Sequence, residues 1–508
     1  MYRRRMTEQL KLEVPFGVEL KTDNRWVRLA ALMPWEKIEE RYAKNFKGTS
    51  GQEALSGRLA FGALYIQARL TLTDEETVMQ IQENPAMQYF CGFDFYTAEK
   101  PFDSSLMVHF RKRITAEMMK EISEEAFAAE ARKAIEKEDD DKNDDDTGIE
   151  NNETNDNETS ETPNKGTLLL DATCCPSDIH YPTDIGLLNH ARELTETMID
   201  ILWTYLPVRF RPEIKPRTYR EVARKAFLEY TKKRKHASGE LRAALRKQLE
   251  CVRRNLDSIE KLIEQGANTD NLGNELYKKL AVISELYQQQ KKMYDEKTNS
   301  VENRIISISQ PHLRPIVRGK AGSPVEFGAK VATALIGGFS FVIHIAYDNF
   351  SEAKYLEATV EEFKRMFGFY PKVVIGDRAY PTNDNRAYCK KHGIRLSAPK
   401  RGKKSEETIE AEKKQLYEDS CIRNAVEGSY GVGKRKYGLG LIMTKLYDTT
   451  KTAISLGFFV KNMERVLRFL LFSYFKNWSH LYCLKMVNRV CSAKSENLLY
   501  SVSPNYWV

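Results

Sequence analysis

The stretch "GTLLLDATCCPSD", residues 166–178, decides how the rest of the chain is read. A glycine is followed by a short apolar strand, and the first charge that strand meets is Asp171. A second stretch repeats the design 206 residues later, where "KVVIGDRAY" (372–380) is an apolar strand ending in Asp377. An acid at a strand end is often only a turn former. Two of them in one open α/β sheet mark a candidate site, because ligands bind outside the strand ends of such sheets.

The sequence between the two acids is expected to fill in a sheet with a long insertion. Residues 186 to about 300 are mostly helical in pattern. Apolar residues at 245, 249, 252, 256, 259 and 263 alternate steps of four and three, a heptad seam. A second seam runs through Leu276, Leu280, Ile283 and Tyr287, beyond the turn-like "EQGANTDNLGN". Together they predict an antiparallel helical hairpin, closed within the chain or between two chains. Its approach, "KPRTYREVARKAFLEYTKKRKH" (215–236), is either a track for a phosphate backbone or a solvated helix. From residue 304 the pattern turns to strands: "RIISISQ", then "VEFGAKVATAL" and "FSFVIHIAY" joined by the hairpin signal "IGG". A helix (351–368), the Asp377 strand, a short helix and the strand "IRLSAP" follow.

After them comes "CIRNAVEGSYGVGKRKYGLG" (421–440), in which Glu427 sits among Arg423, Lys434, Arg435 and Lys436. At 3.6 residues per turn, 423, 427, 430 or 431, and 434 share one helix face. The plain reading is a solvated face with one i,i+4 ion pair, worth a few tenths of a kcal/mol (~0.3). The alternative is a carboxylate held for a cation, with basic groups beside it for an anionic substrate. Three acids converging in a basic field make chemical sense around hard divalent cations. Mg²⁺ takes oxygen ligands, and two such ions stabilise both oxygens of an in-line displacement at phosphorus.

These motifs, "LLLDAT", "VVIGDRAY" and "RNAVEGSYGVGK", resemble the three acidic motifs of insertion-sequence DDE transposases of bacteria and archaea. Arg423, Glu427 and Lys434 keep that family's spacing of Arg, three residues, Glu, six residues, Lys; Ser420 stands where a tyrosine is frequent. The helical start "SGRLAFGALYIQARLTLTDEETVMQI" and the stretch "RPIVRGKAGSPVEFGAKV" are similar to the insertion-sequence-five-like group. The resemblance covers most of residues 50 to 470. It implies an α/β fold, an RNase H-like mixed sheet with a helical insertion, plus an all-helical N-terminal DNA-binding domain. It implies Asp171, Asp377 and Glu427 as catalytic residues and as ligands of two Mg²⁺ ions per site, with Mn²⁺ as a substitute. Cut-and-paste chemistry follows: cleavage at element ends and transfer of the 3′-OH into target DNA. Arg423 and Lys434 are expected on DNA phosphates, and Arg378, Tyr380, Lys400 and Arg401 are weaker candidates. The implied partners are double-stranded DNA, as terminal inverted repeats and target, and a second copy in a synaptic homodimer. A structure-specific nuclease on the same core, or a domesticated DNA-binding protein without chemistry, remains the alternative.

The rest of the chain is compatible with that role. Its formal charge is +8, but residues 136–165 hold 13 acids and 3 lysines, a net of −10, so the remainder carries +18. Such a surface favours a polyanion. The acidic tract is expected to be a disordered linker. Before it, residues 50–135 predict short helices, with Thr73 and Glu76 spaced as a capping box. "DSSLMVHFRKRI" (103–114), with Arg111 and Arg113, makes the last of these helices basic. That suits a helix-turn-helix-like DNA-binding unit, or an ordinary bundle with a basic surface. The expected division is 1–135 for that domain, 136–165 for the linker, 166–185 with 301–440 for the core, 186–300 for the insertion and 441–508 for C-terminal helices. The eight cysteines lack CxxC spacing and read as reduced thiols, Cys174 and Cys175 as packing. His344 reads as a core histidine, and Trp203 as helix core. The run 452–475 is broken by Lys461, Glu464, Arg465 and Arg468. No membrane partner is expected, and the expected location is cytoplasmic, at the nucleoid.

Overall fold

A computed structural model describes residues 20–46, 53–143, 163–237, 239–320, 323–399 and 405–470. Lys400, Arg401 and most of the acidic tract lie outside the described residues. The chain divides into two compact units: Met1–Ile114 with Glu121–Ala129 and Leu456–Val508, and Thr115–Lys120 with Glu130–Ser455. The division differs from a simple head, linker and core, since residues from both ends of the chain share the first unit.

In the first unit the helices are α1 (Arg25–Leu32), α2 (Trp35–Ala43), α3 (Gly57–Leu70), α4 (Asp74–Glu83), α5 (Pro85–Cys91) and α6 (Leu106–Arg113). Their core is aromatic: Phe61, Tyr65 and Phe90 are fully buried, Trp26 meets Phe90 at a tilt and Trp35 edge to face, and Phe459 packs on Phe61. The capping box of Thr73 and Glu76 forms as expected. Pro85 opens α5 at its first turn, where its missing N–H costs nothing. It splits into two helices what reads as one segment. α7 (Ala116–Asn143) stays helical beyond residue 136, where the linker was expected to begin.

The second unit is built on one six-stranded sheet. Its strands are β1 (Thr167–Pro176), β2 (Arg314–Lys320), β3 (Ser323–Ile336), β4 (Phe339–Ala346), β5 (Val373–Ile375) and β6 (Arg395–Leu396). The order is β2-β3-β1-β5-β6, with β4 also on β3. β3 is antiparallel to β1, β2 and β4, whereas β5 and β6 run parallel to β1. This is the mixed sheet expected of a DDE core. β1 sits in the middle and buries Leu168, Leu170, Cys174 and Cys175 almost completely. Each such leucine contributes about 1.5–3 kcal/mol. Gly337 and Gly338, with φ of 56° and 82°, make the two-residue hairpin between β3 and β4.

"RIISISQ" is not a strand. The Ile305 N–H donates to Oε1 of Gln289, and Gln289 Nε2 donates to the Asn303 carbonyl, so a helix side chain takes the backbone groups a strand would need. The insertion comprises α8 (Asp184–Tyr205), α9 (Arg220–Thr231), α10 (Glu240–Glu264) and α11 (Gly273–Glu296). Its core joins Leu188, Met198 and Leu202 of α8 to Leu249, Val252 and Ile259 of α10 and to Ile283 and Leu286 of α11. The expected hairpin is therefore closed within the chain, with α8 as the third wall. α12 (Leu356–Phe367) leads from β4 to β5, and α13 (Asn383–Lys391) leads to β6. α14 (Glu406–Lys436), a 31-residue helix, then lies against β1. No helix among the described residues is long and apolar enough to cross a membrane.

Candidate active site

Asp171 lies inside β1, not at its end, because the strand runs on to Pro176. The extension pairs with β3 as far as Gly328. A side chain there would collide with the Cys175 carbonyl, at 2.1 Å from the added carbon, so glycine allows the close approach. Asp377 falls where it was expected, two residues past the last residue of β5. The parallel register pairs Leu169 with Ile375. Asp171 and Asp377 each follow that last pair by two residues.

The electrostatics agree with that register. Burial pushes the Asp171 carboxyl up to about 6. The N–H of Ala172, donating to Oδ1 at 2.8 Å, opposes this, as does Arg423, while Glu352 and Asp377 add to it. Asp377 accepts from the N–H of Ala379, which curls the following loop.

The third acid is set by α14. Tyr430 is buried and its hydroxyl shares a hydrogen bond of 2.7 Å with Oγ1 of Thr333. Thr333 is the β3 residue directly opposite Asp171. Glu427 stands one turn before Tyr430 and Arg423 one turn earlier again, so both lie over the same part of the sheet. Arg423 and Glu427 form the expected i,i+4 pair, at 3.8 Å. The Glu427 side chain is 64% exposed. Among the described residues no three His, Cys, Asp or Glu side chains are gathered closely enough to hold a metal ion.

The donor set still fits a hard divalent cation, since it consists of carboxylates with no soft ligand among them. A further observation favours such an ion. Glu352, at the turn before α12, has a buried carboxylate oxygen, Oε2, with no hydrogen-bond partner. Its charge raises the proton affinity of Asp171, Tyr380 and Tyr430, after burial in each case. Nothing in "SEAKYLEA" separates Glu352 from an ordinary first-turn helix acid, so sequence reasoning passes over it.

The basic candidates divide. Arg423 and Lys434 are half-buried on α14, and Arg378 is exposed beside Asp377. Tyr380 is buried, with its ring against Gly376, and is a packing residue of the Asp377 loop. Arg111 is buried and gives its guanidinium to Asp74, at 2.6 and 2.8 Å, and to Gln67. Its charge is occupied inside the helical unit and is not turned to a ligand. Arg113 lies over the Phe46 ring at 4.8 Å. His344 stacks on Tyr355 and meets Phe350 edge to face. Trp203 carries the Arg211 guanidinium on its ring.

Two family models match the chain. A transposase DDE domain matches residues 374–464, which include Asp377, Arg423, Glu427 and Lys434. A transposase domain, DUF772, matches residues 16–113, which include the helical unit and Arg111. By these matches the chain carries a transposase domain near its start and a transposase DDE domain near its end. A protein of Rhizobium meliloti, "Uncharacterized protein ORF8 in nfe locus", is 40% identical over 96 residues. That is 19% of this chain, which spans 46% of the relative, about half its length. No solved structure matches.

Proposed function

We propose that the protein is a DDE transposase that cuts DNA at the ends of its element and joins the freed 3′-OH to target DNA. Asp171, Asp377 and Glu427 are the catalytic acids of this reading. The observation that supports it is the β1–β5 register, which pairs Leu169 with Ile375, two residues before Asp171 and Asp377, while Asp377 and Arg423 both bear electrostatically on the Asp171 carboxyl. Two Mg²⁺ or Mn²⁺ ions, when bound, supply charge neutralisation at the scissile phosphate and activation of the attacking water.

The chain's own residues do the rest. Asp171, half-buried and accepting from one backbone N–H, gains from a cation what desolvation costs it. Glu427 completes the set from α14, and Arg423 and Lys434 hold the terminal phosphates, which gives register without reading sequence. Water adds to phosphorus and the 3′ oxygen leaves, taking up a proton as the 3′-OH. That hydroxyl then attacks a target phosphodiester, whose own 3′ oxygen leaves in turn. No covalent protein–DNA bond is required, and Tyr380, buried with its phenol pushed well above its ordinary range, is unsuited to form one. Two element ends call for two sites, hence a homodimer in the synaptic complex. The expected location is the nucleoid.

The test compares the parent with Glu427→Gln on DNA carrying the element's ends, in Mg²⁺ and in Mn²⁺. The expected result is end cleavage and joining by the parent, and unchanged DNA binding with at least a thousandfold loss of cleavage in the variant, order ~10³. Cleavage without joining would favour a nuclease. Equal binding with no cleavage by either protein would favour a non-catalytic DNA-binding protein. Equal cleavage by both would remove Glu427 from the site.

A further inference from the structure

The turn between β4 and α12 is pinned from two sides. From β3, Lys330 Nζ reaches the Phe350 carbonyl at 2.8 Å, Asn349 Oδ1 at 3.2 Å and Glu352 Oε1 at 2.9 Å. From α13, Asn385 Nδ2 donates both to the Ala353 carbonyl at 3.0 Å and to the Tyr380 carbonyl at 2.8 Å. The second clamp ties the residue after Glu352 to the loop that begins at Asp377. Neither Lys330 nor Glu352 has more than 15% of its side chain exposed.

A structural ion pair would account for Oε1 and for the burial of Lys330. It does not account for Oε2, which is shut away from solvent without a partner, on a carboxylate whose field already bears on Asp171. A second, largely enclosed acid whose field reaches Asp171 is unfavourable unless positive charge offsets both, and Arg423 is the one cation among the causes of the Asp171 shift. Lys330 cannot be that charge, since its contacts are spent on the turn and on Oε1.

We propose that Glu352 is a fourth carboxylate of the cation site, held by Lys330 through Oε1 so that Oε2 serves the divalent ion that Asp171 holds. The inference rests on the DDE reading and adds to it an acid that lies outside the triad. Glu352 acts here as a ligand of the ion, through Oε2. Lys330 fixes the carboxylate without touching the ion.

The experiment measures Mn²⁺ binding to the full chain without DNA, by the spin-resonance signal of free Mn²⁺, with melting temperature recorded alongside. Glu352→Gln keeps the shape and is expected to weaken Mn²⁺ binding about tenfold, the lower end for a residue supporting a metal site. Lys330→Met leaves Glu352 charged but unfixed and is expected to weaken Mn²⁺ binding less than Glu352→Gln does, although it melts lower. The double variant Glu352→Gln with Lys330→Met buries no unpaired charge. It is expected to fold and to show the same tenfold loss, which covers the case of a misfolded single variant. Parent-like Mn²⁺ binding by Glu352→Gln or by the double variant would overturn the proposal, as would an equal loss in Lys330→Met. Asp171→Asn separates the two readings. If it loses Mn²⁺ while Glu352→Gln does not, only the Glu352 inference fails. If it too binds like the parent, the metal site itself is misplaced.

Discussion

Inside the helical insertion Arg192 is 1% exposed, and its guanidinium is met by Glu196 at 2.6 Å, Asn189 at 2.8 Å and Glu193 at 3.1 Å. Only its Nε lacks a partner. Asn255 of α10 then binds Thr195 and the Arg192 carbonyl, so the charge is tied into the helix packing. In the sheet of the same unit, Asp171 accepts from one neighbouring backbone N–H, and Glu352 leaves an oxygen empty. The first cluster brings its countercharges with it and is scaffold. The second has fewer partners: Lys330 meets one Glu352 oxygen and Arg423 bears on Asp171, but the other Glu352 oxygen is buried and unmet. Burial alone does not distinguish a site from a scaffold; the balance of charge and partners within the buried group does.

The largest effect is expected where the scaffold is broken. Arg192→Met leaves buried Glu196 with only the long contact to Arg220, at 3.9 Å, and should cost about 3 kcal/mol of unfolding free energy. Replacing both partners, Arg192→Met with Glu196→Met, should return most of that loss, because the desolvation of both charges disappears together. Denaturant unfolding of the three proteins checks this. A single variant as stable as the parent would erase the contrast.

At the site the sign reverses. The Asp171 carboxyl is raised to about 6 in the folded protein, chiefly by burial, against an ordinary 3.8. A raised acid binds its proton more tightly when folded. Stability is therefore greatest below about 4, falls as pH rises to about 6, and stays low above it. At pH 8 Asp171→Asn should be more stable than the parent by about 2–3 kcal/mol, taken from a shift of about two units. At pH 4 the gap should close. Unfolding curves at the two pH values read it directly, and a variant less stable at pH 8 would mean that Asp171 belongs to the scaffold.

Asp171 and Asp377 stand out because an apolar run that meets a charge is a local signal, whereas Glu427 stands out only by the cations on its own helix face. The hairpin "IGG" and the capping box at Thr73 were legible for the same reason. What the sequence hid depends on partners far along the chain. Arg111 looks like one of three DNA-facing cations until Asp74, 37 residues earlier, is seen to hold it. "RIISISQ" has strand composition, but Gln289 takes its backbone hydrogen bonds. β1 passes Asp171 only because Gly328 lets its last residues pair. Glu352 gains its meaning from Lys330 and Asn385, and neither is near it in sequence.

The smallest effect sharpens the comparison most, because it concerns a satisfied pair placed within the unsatisfied site. Tyr430 and Thr333 complete each other's hydrogen bond across α14 and β3, directly opposite Asp171. By the balance of partners this pair is scaffold, although it stands one turn from Glu427. Tyr430→Phe removes one hydroxyl and leaves Thr333 Oγ1 without it, which should cost about 1 kcal/mol. Mn²⁺ affinity should change less than about threefold, well below the loss expected for a group supporting the ion. Measured on the same protein samples, the two numbers separate proximity from participation. A tenfold loss of Mn²⁺ with stability unchanged would place the Tyr430 hydroxyl in the ion's surroundings, and the balance of partners would then be the wrong criterion for this site.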